Sequence, residues 1–245
     1  MRSSALTDVG IKRNMNQDFV YASDQKVGTL DNLYIVADGM GGHNAGDYAS
    51  RCAVETIVDY IGNAGAMPPV RLLTLAVEAA NETVVERSMQ DKKLEGMGTT
   101  LVAATVMNGC LYVANVGDSR LYILDEDEIV QITRDHSLVE EMVRSGQLAR
   151  EKARTHPEKN VITNAVGMKT KPRIDCFDAA LYPKDIFLIC SDGLTNMLED
   201  EEILRIVHEE EDLPSAAQKL IDEANRNGGS DNISVILAAP DEGEV

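Results

Sequence analysis

Tryptophan is absent from the 245 residues, aromatic side chains make up only 4%, and cysteine and histidine occur four times each. The cysteines, Cys52, Cys110, Cys176 and Cys190, form no C-x-x-C and pair with no histidine motif, which argues against structural zinc. Lying far apart in apolar stretches, they read as buried free thiols of a reducing compartment. No H-E-x-x-H and no G-x-x-x-x-G-K-[ST] loop is present. Gly39-Met40-Gly41-Gly42-His43-Asn44 falls one glycine short of a dinucleotide fingerprint and has no βαβ surroundings, so nucleotide binding drops out. No apolar run approaches the roughly 18 residues of a membrane span, and Met1 to Asp8 lacks the apolar core of a signal peptide. A soluble, cytoplasmic protein is expected. Positive charge is scarce too: 23 Lys and Arg stand against 41 Asp and Glu, a net charge of −18. Nucleic-acid affinity comes mainly from basic side chains displacing condensed counterions, so a nucleic-acid partner is excluded. An anionic membrane surface would repel the chain.

What is present is a 44% hydrophobic chain, long enough for one well-cored domain over residues 1–245. Much of its acid is surface. Glu199 to Glu202 and Glu209 to Asp212 flank an apolar helical stretch and read as solvated helix ends. Asp125 to Glu128 reads as a hairpin tip. Strand-like runs occur at Asp18–Ser23, Leu33–Ala37, Thr100–Val106, Cys110–Val116, Leu121–Leu124, Ile129–Ile132, Ile174–Leu181, Ile186–Cys190 and Ile233–Leu237. Asn108-Gly109 is a two-residue hairpin signal. Amphipathic helices are expected around Ala49 to Ile61, Leu72 to Val84, Glu201 to His208 and Ser215 to Asn225. The polar stretch from His136 to Val166 reads as an inserted flap. Helices come in pairs between runs of strands, which predicts an α+β fold of mostly antiparallel sheets with helices layered outside.

Four aspartates share one local pattern. Asp38 and Asp192 close apolar strands ahead of a glycine, Asp118 follows Val116-Gly117, and Asp231 follows Gly228-Gly229-Ser230 and opens a strand. Each carboxylate therefore sits at a strand rim beside a glycine-permitted turn. With neighbouring strands about 5 Å apart, carboxylates on one rim converge. Like charges that close are unfavourable unless cations lie among them. An all-oxygen set without His or Cys suits a hard ion, Mg²⁺ or Mn²⁺. Two such ions can acidify a bridging water and clamp a phosphoryl group. Arg13, in the loop before Asp18, offers a guanidinium fork of the shape a phosphate accepts.

Eight segments then fall in order. They are Thr7-Asp8-Val9-Gly10 with Arg13 and Asn16-Gln17-Asp18, Ala37-Asp38-Gly39-Met40-Gly41-Gly42-His43, Gly98-Thr99-Thr100 and Asn115-Val116-Gly117-Asp118-Ser119-Arg120, followed by Asp135-His136-Ser137, Ile162 to Gly167, Ser191-Asp192-Gly193-Leu194 and Ser230-Asp231-Asn232. Through them the chain resembles the metal-dependent protein phosphatase family (PPM, or type 2C) in its compact bacterial form, from about Thr7 to Leu237.

The resemblance implies a four-layer αββα sandwich, two central antiparallel sheets flanked by helix pairs, with a flap at about 142–165. It implies that Asp38 bridges two core ions, that the Gly39 carbonyl serves one of them, and that Asp192 and Asp231 hold the other. Asp118 would bind a third, looser ion. Arg13 would hold the substrate phosphate, and Asp18 would orient metal-bound water. Gly98-Thr99-Thr100, Ser119 and Asn232 would be supports. The activity implied is hydrolysis of phosphoserine and phosphothreonine in proteins by a metal-activated bridging water, without a phosphoenzyme. It would reverse a bacterial eukaryotic-like Ser/Thr kinase, with the enzyme a monomer. Metals are also an energetic necessity: monoester hydrolysis needs enhancements up to about 10²¹, and one general base contributes about 10²–10⁴. A phosphoprotein-binding pseudo-enzyme on the same fold would lack a core aspartate, and none is lacking. A phosphatase of small phosphometabolites is the other alternative.

Two positions depart from the family pattern. Many eukaryotic members carry a histidine, proposed as the general acid, where Met40 stands, and a thioether donates no proton. The resemblance carries that role neither to Met40 nor to His43, leaving protonation to metal-bound water. Many bacterial members carry arginine where Asn164 stands, which puts a substrate contact there in question.

Overall fold

The computed structural model describes residues 1–42 and 45–241. Its strands are β1 (Arg2–Asp8), β2 (Asp18–Ser23), β3 (Leu33–Met40), β4 (Gly98–Thr99), β5 (Leu101–Met107), β6 (Cys110–Val116), β7 (Arg120–Leu124), β8 (Ile129–Gln131), β9 (Asp175–Ala180), β10 (Ile186–Cys190) and β11 (Ile233–Ala239). Its helices are α1 (Ala45–Asn63), α2 (Pro69–Gln90), α3 (Leu138–Arg144), α4 (Arg150–Ala153), α5 (Asp192–Thr195), α6 (Asp200–Glu209) and α7 (Leu213–Arg226). One sheet runs β1-β11-β10-β7-β8, the other β2-β3-β5-β6-β9 with β4 against β3, and every pairing is antiparallel.

Side chains of a strand alternate between two faces, and here both faces are covered. On β3, Leu33, Ile35 and Ala37 pack with α1 and α2, while Tyr34 and Val36 face the other sheet. On β10 and β11, Leu188, Cys190, Val235 and Leu237 pack with α6 and α7, while Phe187, Ile189, Ile236 and Ala238 turn inward. Tyr34 and Phe187 meet edge-to-face across the sheets, centroids 5.3 Å apart. Three apolar layers between four structural layers make the αββα sandwich expected from the motifs.

The turns follow their local chemistry. Asn108 and Gly109 both have positive φ, 52° and 70°, as a primed hairpin turn requires, and they set the register Met107 to Cys110. The acidic run at Asp125 is the hairpin tip between β7 and β8, closed by Asp125 N–H to Glu128 O at 3.1 Å. Glu199 precedes α6 and its N–H donates to Glu202 Oε2 at 3.0 Å, so this acid serves a helix start.

Four readings need correction. The first strand is not Asp18–Ser23: β1 precedes it and pairs with β11 along seven residues from Arg2 to Asp8. Its composition, Arg-Ser-Ser-Ala-Leu-Thr-Asp, is too polar to show a strand period. A short helix that was not expected, α5, begins at Asp192 immediately after β10, while the weakly helical flap sequence does form α3 and α4. Asp38 does not end its strand, since β3 continues to Met40. The cysteines are not uniformly buried. Cys190 is, but Cys52 and Cys110 are half-buried and Cys176 is exposed, because Cys176 lies on β9, an edge strand. Among the described residues, no helix is long and apolar enough to cross a membrane.

Candidate active site

At one end of the sandwich the inward-facing layer changes from apolar to acidic. Along β2 the inward positions are Ala22, Val20 and then Asp18; along β3 they are Tyr34, Val36 and then Asp38. Asp18 and Asp38 are direct cross-strand partners, an arrangement that like charges oppose. From the other sheet come Asp192, after β10, and Asp231, before β11. Asp118 arrives from the β6–β7 turn. The carboxylates therefore converge from two facing sheets, not along the rim of one. Asp18 and Asp38 come from the neighbouring strands β2 and β3 of one sheet, Asp192 and Asp231 from the neighbouring strands β10 and β11 of the other.

Asp18 joins the sheets. It is buried, and its Oδ2 accepts hydrogen bonds from Ser191 Oγ at 2.8 Å and Ser234 Oγ at 2.7 Å. Its Oδ1 is buried without a partner, as is Oδ1 of Asp192. Asp38 is held through its backbone: its N–H donates to Thr100 Oγ1 at 3.1 Å, and its carbonyl accepts from Thr100 N–H and Thr99 Oγ1 at 2.9 Å each. Thr100 Oγ1 in turn bonds Ser119 Oγ at 2.7 Å. Gly39 can only be glycine, because a Cβ there would lie 2.1 Å from the Gly46 carbonyl at the start of α1. Asn232 staples the Arg13 loop, accepting from Gln17 N–H at 2.8 Å and donating to the Val9 and Met15 carbonyls at 2.9 Å.

The electrostatics are those of crowded, desolvated acids. Burial pushes the Asp38 carboxyl well above the usual range, and the charges of Asp18, Asp192, Asp118 and Asp231 add to it. Burial raises Asp18 to about 7 against the pull of its two serines. Asp118 rises to about 8 through burial, then Asp192 and Asp135. Asp192 rises to about 6 through burial and then Asp231. Arg13 stands at the mouth, its Nη2 2.7 Å from Asp231 Oδ2.

These residues line a cleft of about 250 Å³ that includes Arg13, Asp38, Gly39, Met40, Asp118, Asp192 and Asp231. The donor set fits hard cations: oxygen only, two buried carboxylate oxygens unpartnered, and mutual repulsion that a divalent ion would relieve. Among the described residues, no three His, Cys, Asp or Glu side chains enclose a single point by themselves. An ion here would keep water in its remaining positions, as Mg²⁺ usually does.

Each sequence-predicted site residue, Arg13, Asp18, Asp38, Gly39, Asp118, Asp192 and Asp231, belongs to this end of the sandwich. Met40 lines the cleft, and no histidine does among the described residues. His43 lies outside the described residues. Asn164 points away from substrate chemistry: its amide bonds His136 Nδ1 at 2.7 Å and both backbone groups of Arg173. His136 is buried, accepts from Gly117 N–H at 3.1 Å on Nδ1 and faces Asp175 Oδ2 at 3.0 Å through Nε2. The neutral tautomer protonated on Nε2 follows, and burial holds the group below its usual value. Sequence reasoning gave no role to Ser191, although it lies in a motif segment, and missed Ser234 and Asn196, the last donating to Asp192 Oδ2 at 2.9 Å. The available signal was a lone serine on the inward face of an otherwise apolar strand.

Comparison with known proteins agrees with this geometry. The family model described as Protein phosphatase 2C matches residues 11–237. The serine/threonine phosphatase stp of Listeria monocytogenes serotype 4b is 39% identical over 247 residues, covering 98% of this chain and 96% of the relative. The serine/threonine phosphatase of S. agalactiae superimposes with a TM-score of 0.89 at 38% identity, over 96% of this chain and 98% of that one. The catalytic domain of the serine/threonine protein phosphatase PstP, solved in complex with 2 manganese ions, gives 0.83 at 34% identity over 97% of both chains.

Proposed function

The chain belongs to the protein phosphatase 2C family and is a protein-serine/threonine phosphatase, and from that premise we propose how its own residues divide the work. Asp38, the Gly39 carbonyl, Asp192 and Asp231 hold two core divalent ions, Mn²⁺ or Mg²⁺, and Asp118 contributes to a third, weaker one. The observation that carries this is the convergence of five aspartates with two buried, unpartnered carboxylate oxygens. When bound, such ions supply an acidified water as nucleophile and positive charge for the phosphoryl oxygens.

The remaining tasks fall to the protein. Arg13 engages Asp231 through one nitrogen, so the rest of its five-donor fork is available for the phosphate of the substrate. Asp18 keeps one acceptor oxygen unpartnered while two serines fix the other, which suits it to orienting water. Met40 donates no proton, so the leaving alkoxide takes its proton from water in the cleft.

Residues 1–245 act as one domain, because β1 and β11, from opposite ends of the chain, pair in one sheet. The flap beside the cleft tunes substrate choice. The substrates are phosphorylated Ser/Thr proteins, and a cognate eukaryotic-like Ser/Thr kinase is the partner whose phosphorylation a monomeric, cytoplasmic enzyme reverses. Phosphate release from phosphothreonine peptides by EDTA-treated protein, with and without added Mn²⁺, tests this reading. Metal-independent release would contradict it.

A further inference from the structure

We propose that Lys159, carried by the flap, is a positioning residue for the metal centre, acting on Asp192 through the side-chain amide of Asn196. The proposal rests on the reading of Asp192 as a metal ligand.

Three groups stand in a chain. Lys159 Nζ donates to Asn196 Oδ1 at 2.8 Å, and Asn196 Nδ2 donates to Asp192 Oδ2 at 2.9 Å. Asn196 is also tied by its backbone, donating N–H to the Asp192 carbonyl at 2.7 Å. Asp192 Oδ1 is left buried and unpartnered. One oxygen of Asp192 is thus committed to the protein, which leaves the other for an ion.

An asparagine amide has two orientations, one with the oxygen and one with the NH₂ group toward a given neighbour. Here the choice is forced at both ends. The reversed amide would set NH₂ against an ammonium and a carbonyl oxygen against a carboxylate, so both contacts become repulsive. Lys159 therefore selects the orientation in which Asn196 can donate to Asp192. Polarisation along such a chain strengthens both bonds.

The chain of contacts links the flap to the segment that carries Asp192. Lys159 lies in the turn after α4, and Asn196 caps α5, directly behind the metal ligand. Both line a cavity of about 340 Å³ that shares Asp118, Asn160 and Asp192 with the catalytic cleft. A second flap residue fastens nearby: Arg154 donates to the Leu198 carbonyl at 3.0 Å and pairs with Glu199 at 2.9 Å. The flap is therefore docked on the segment that carries Asp192, and Lys159 makes the one described contact that leads to the carboxylate itself. Partners behind a metal ligand typically change metal affinity about 10–100-fold.

The test is direct Mn²⁺ titration by calorimetry on the wild type, Lys159→Met, Lys159→Arg, Asn196→Ala and the Lys159→Met/Asn196→Ala double variant. Binding about ten-fold weaker in Lys159→Met is expected, recovered in Lys159→Arg, with phosphatase activity restored by excess Mn²⁺. The double variant is expected to bind no more weakly than Asn196→Ala, because Lys159 acts through that amide. Unchanged affinity in Lys159→Met, or additive losses in the double variant, would overturn the relay while leaving the metal reading intact. A wild type that takes up no Mn²⁺ would overturn the metal reading and the relay with it.

Discussion

The carboxylate of Asp18 and the hydroxyl of Ser191 meet at 2.8 Å although they belong to opposite sheets of the sandwich. That contact, repeated by Ser234 at 2.7 Å, closes the acidic end of the inter-sheet core. Ser191→Ala removes one of two donors to a buried carboxylate, a loss of about 1–3 kcal/mol. Thermal melts in EDTA at pH 8, where Asp18 is ionised, should fall by several degrees. At pH 5 the carboxyl is protonated and the difference should shrink. An equal loss at both values would contradict the role given to Ser191.

Asp38→Asn separates stability from activity. The variant removes a buried carboxyl whose ionisation is opposed by burial and by Asp18, Asp192, Asp118 and Asp231. Without metal it should melt at or above the wild-type temperature, while phosphopeptide hydrolysis falls by about a hundred- to a thousand-fold, the scale of losing a major electrostatic stabiliser. Activity assays beside melts in EDTA check both halves. A folded variant with full activity would remove Asp38 from the metal site.

Stability of the metal-free protein should decline as pH rises. Asp192, Asp18 and Asp118 reach about 6, 7 and 8 in the folded chain against an ordinary 3.8. Below about 4 both folded and unfolded chains hold these protons, and the stabilisation is complete. Between about 4 and 8 the unfolded chain has released them while the folded one retains them, so stability is lost as pH climbs through the folded values. Saturating Mn²⁺ should reverse the trend, because the ion takes the ionised carboxylates and releases their protons. Chemical denaturation from pH 4.5 to 8.5, with EDTA or Mn²⁺, reads both slopes.

Arg13→Ala should act mainly on binding. A charge-assisted contact to phosphate is worth about 1.5–3 kcal/mol, or about 10- to 100-fold in kcat/KM. Most of it should appear as a raised KM for phosphopeptide, since the Arg13 guanidinium is half-exposed at the mouth of the cleft beside Asp231. Steady-state kinetics at saturating Mn²⁺ decide it. An unchanged KM would remove Arg13 from substrate binding.

The strands that carry the site were legible because their two faces are both buried. Ile186–Cys190 is an uninterrupted apolar run and Cys110–Val116 is apolar but for Asn115, and both have the bounds the structure shows. β1 was not legible, since Ser3, Ser4 and Thr7 interrupt its pattern and its strand state depends on pairing with β11. Asp38, Asp118, Asp192 and Asp231 announced themselves by the glycines beside them. Their meeting across two sheets did not, because no local period records which sheets face each other. Lys159 and Ser234 were silent for the same reason: each reaches the site through contacts distant in sequence, and their sequence neighbours resemble ordinary loop or strand residues.

The most direct measurement is phosphate release from a phosphothreonine peptide by protein stripped with EDTA and then titrated with Mn²⁺. No turnover should occur in EDTA, activity should return with added Mn²⁺, and Asp192→Asn should stay inactive at Mn²⁺ levels that saturate the wild type while remaining folded. Full turnover by the stripped enzyme, or by Asp192→Asn at those levels, would contradict a metal centre built from these aspartates.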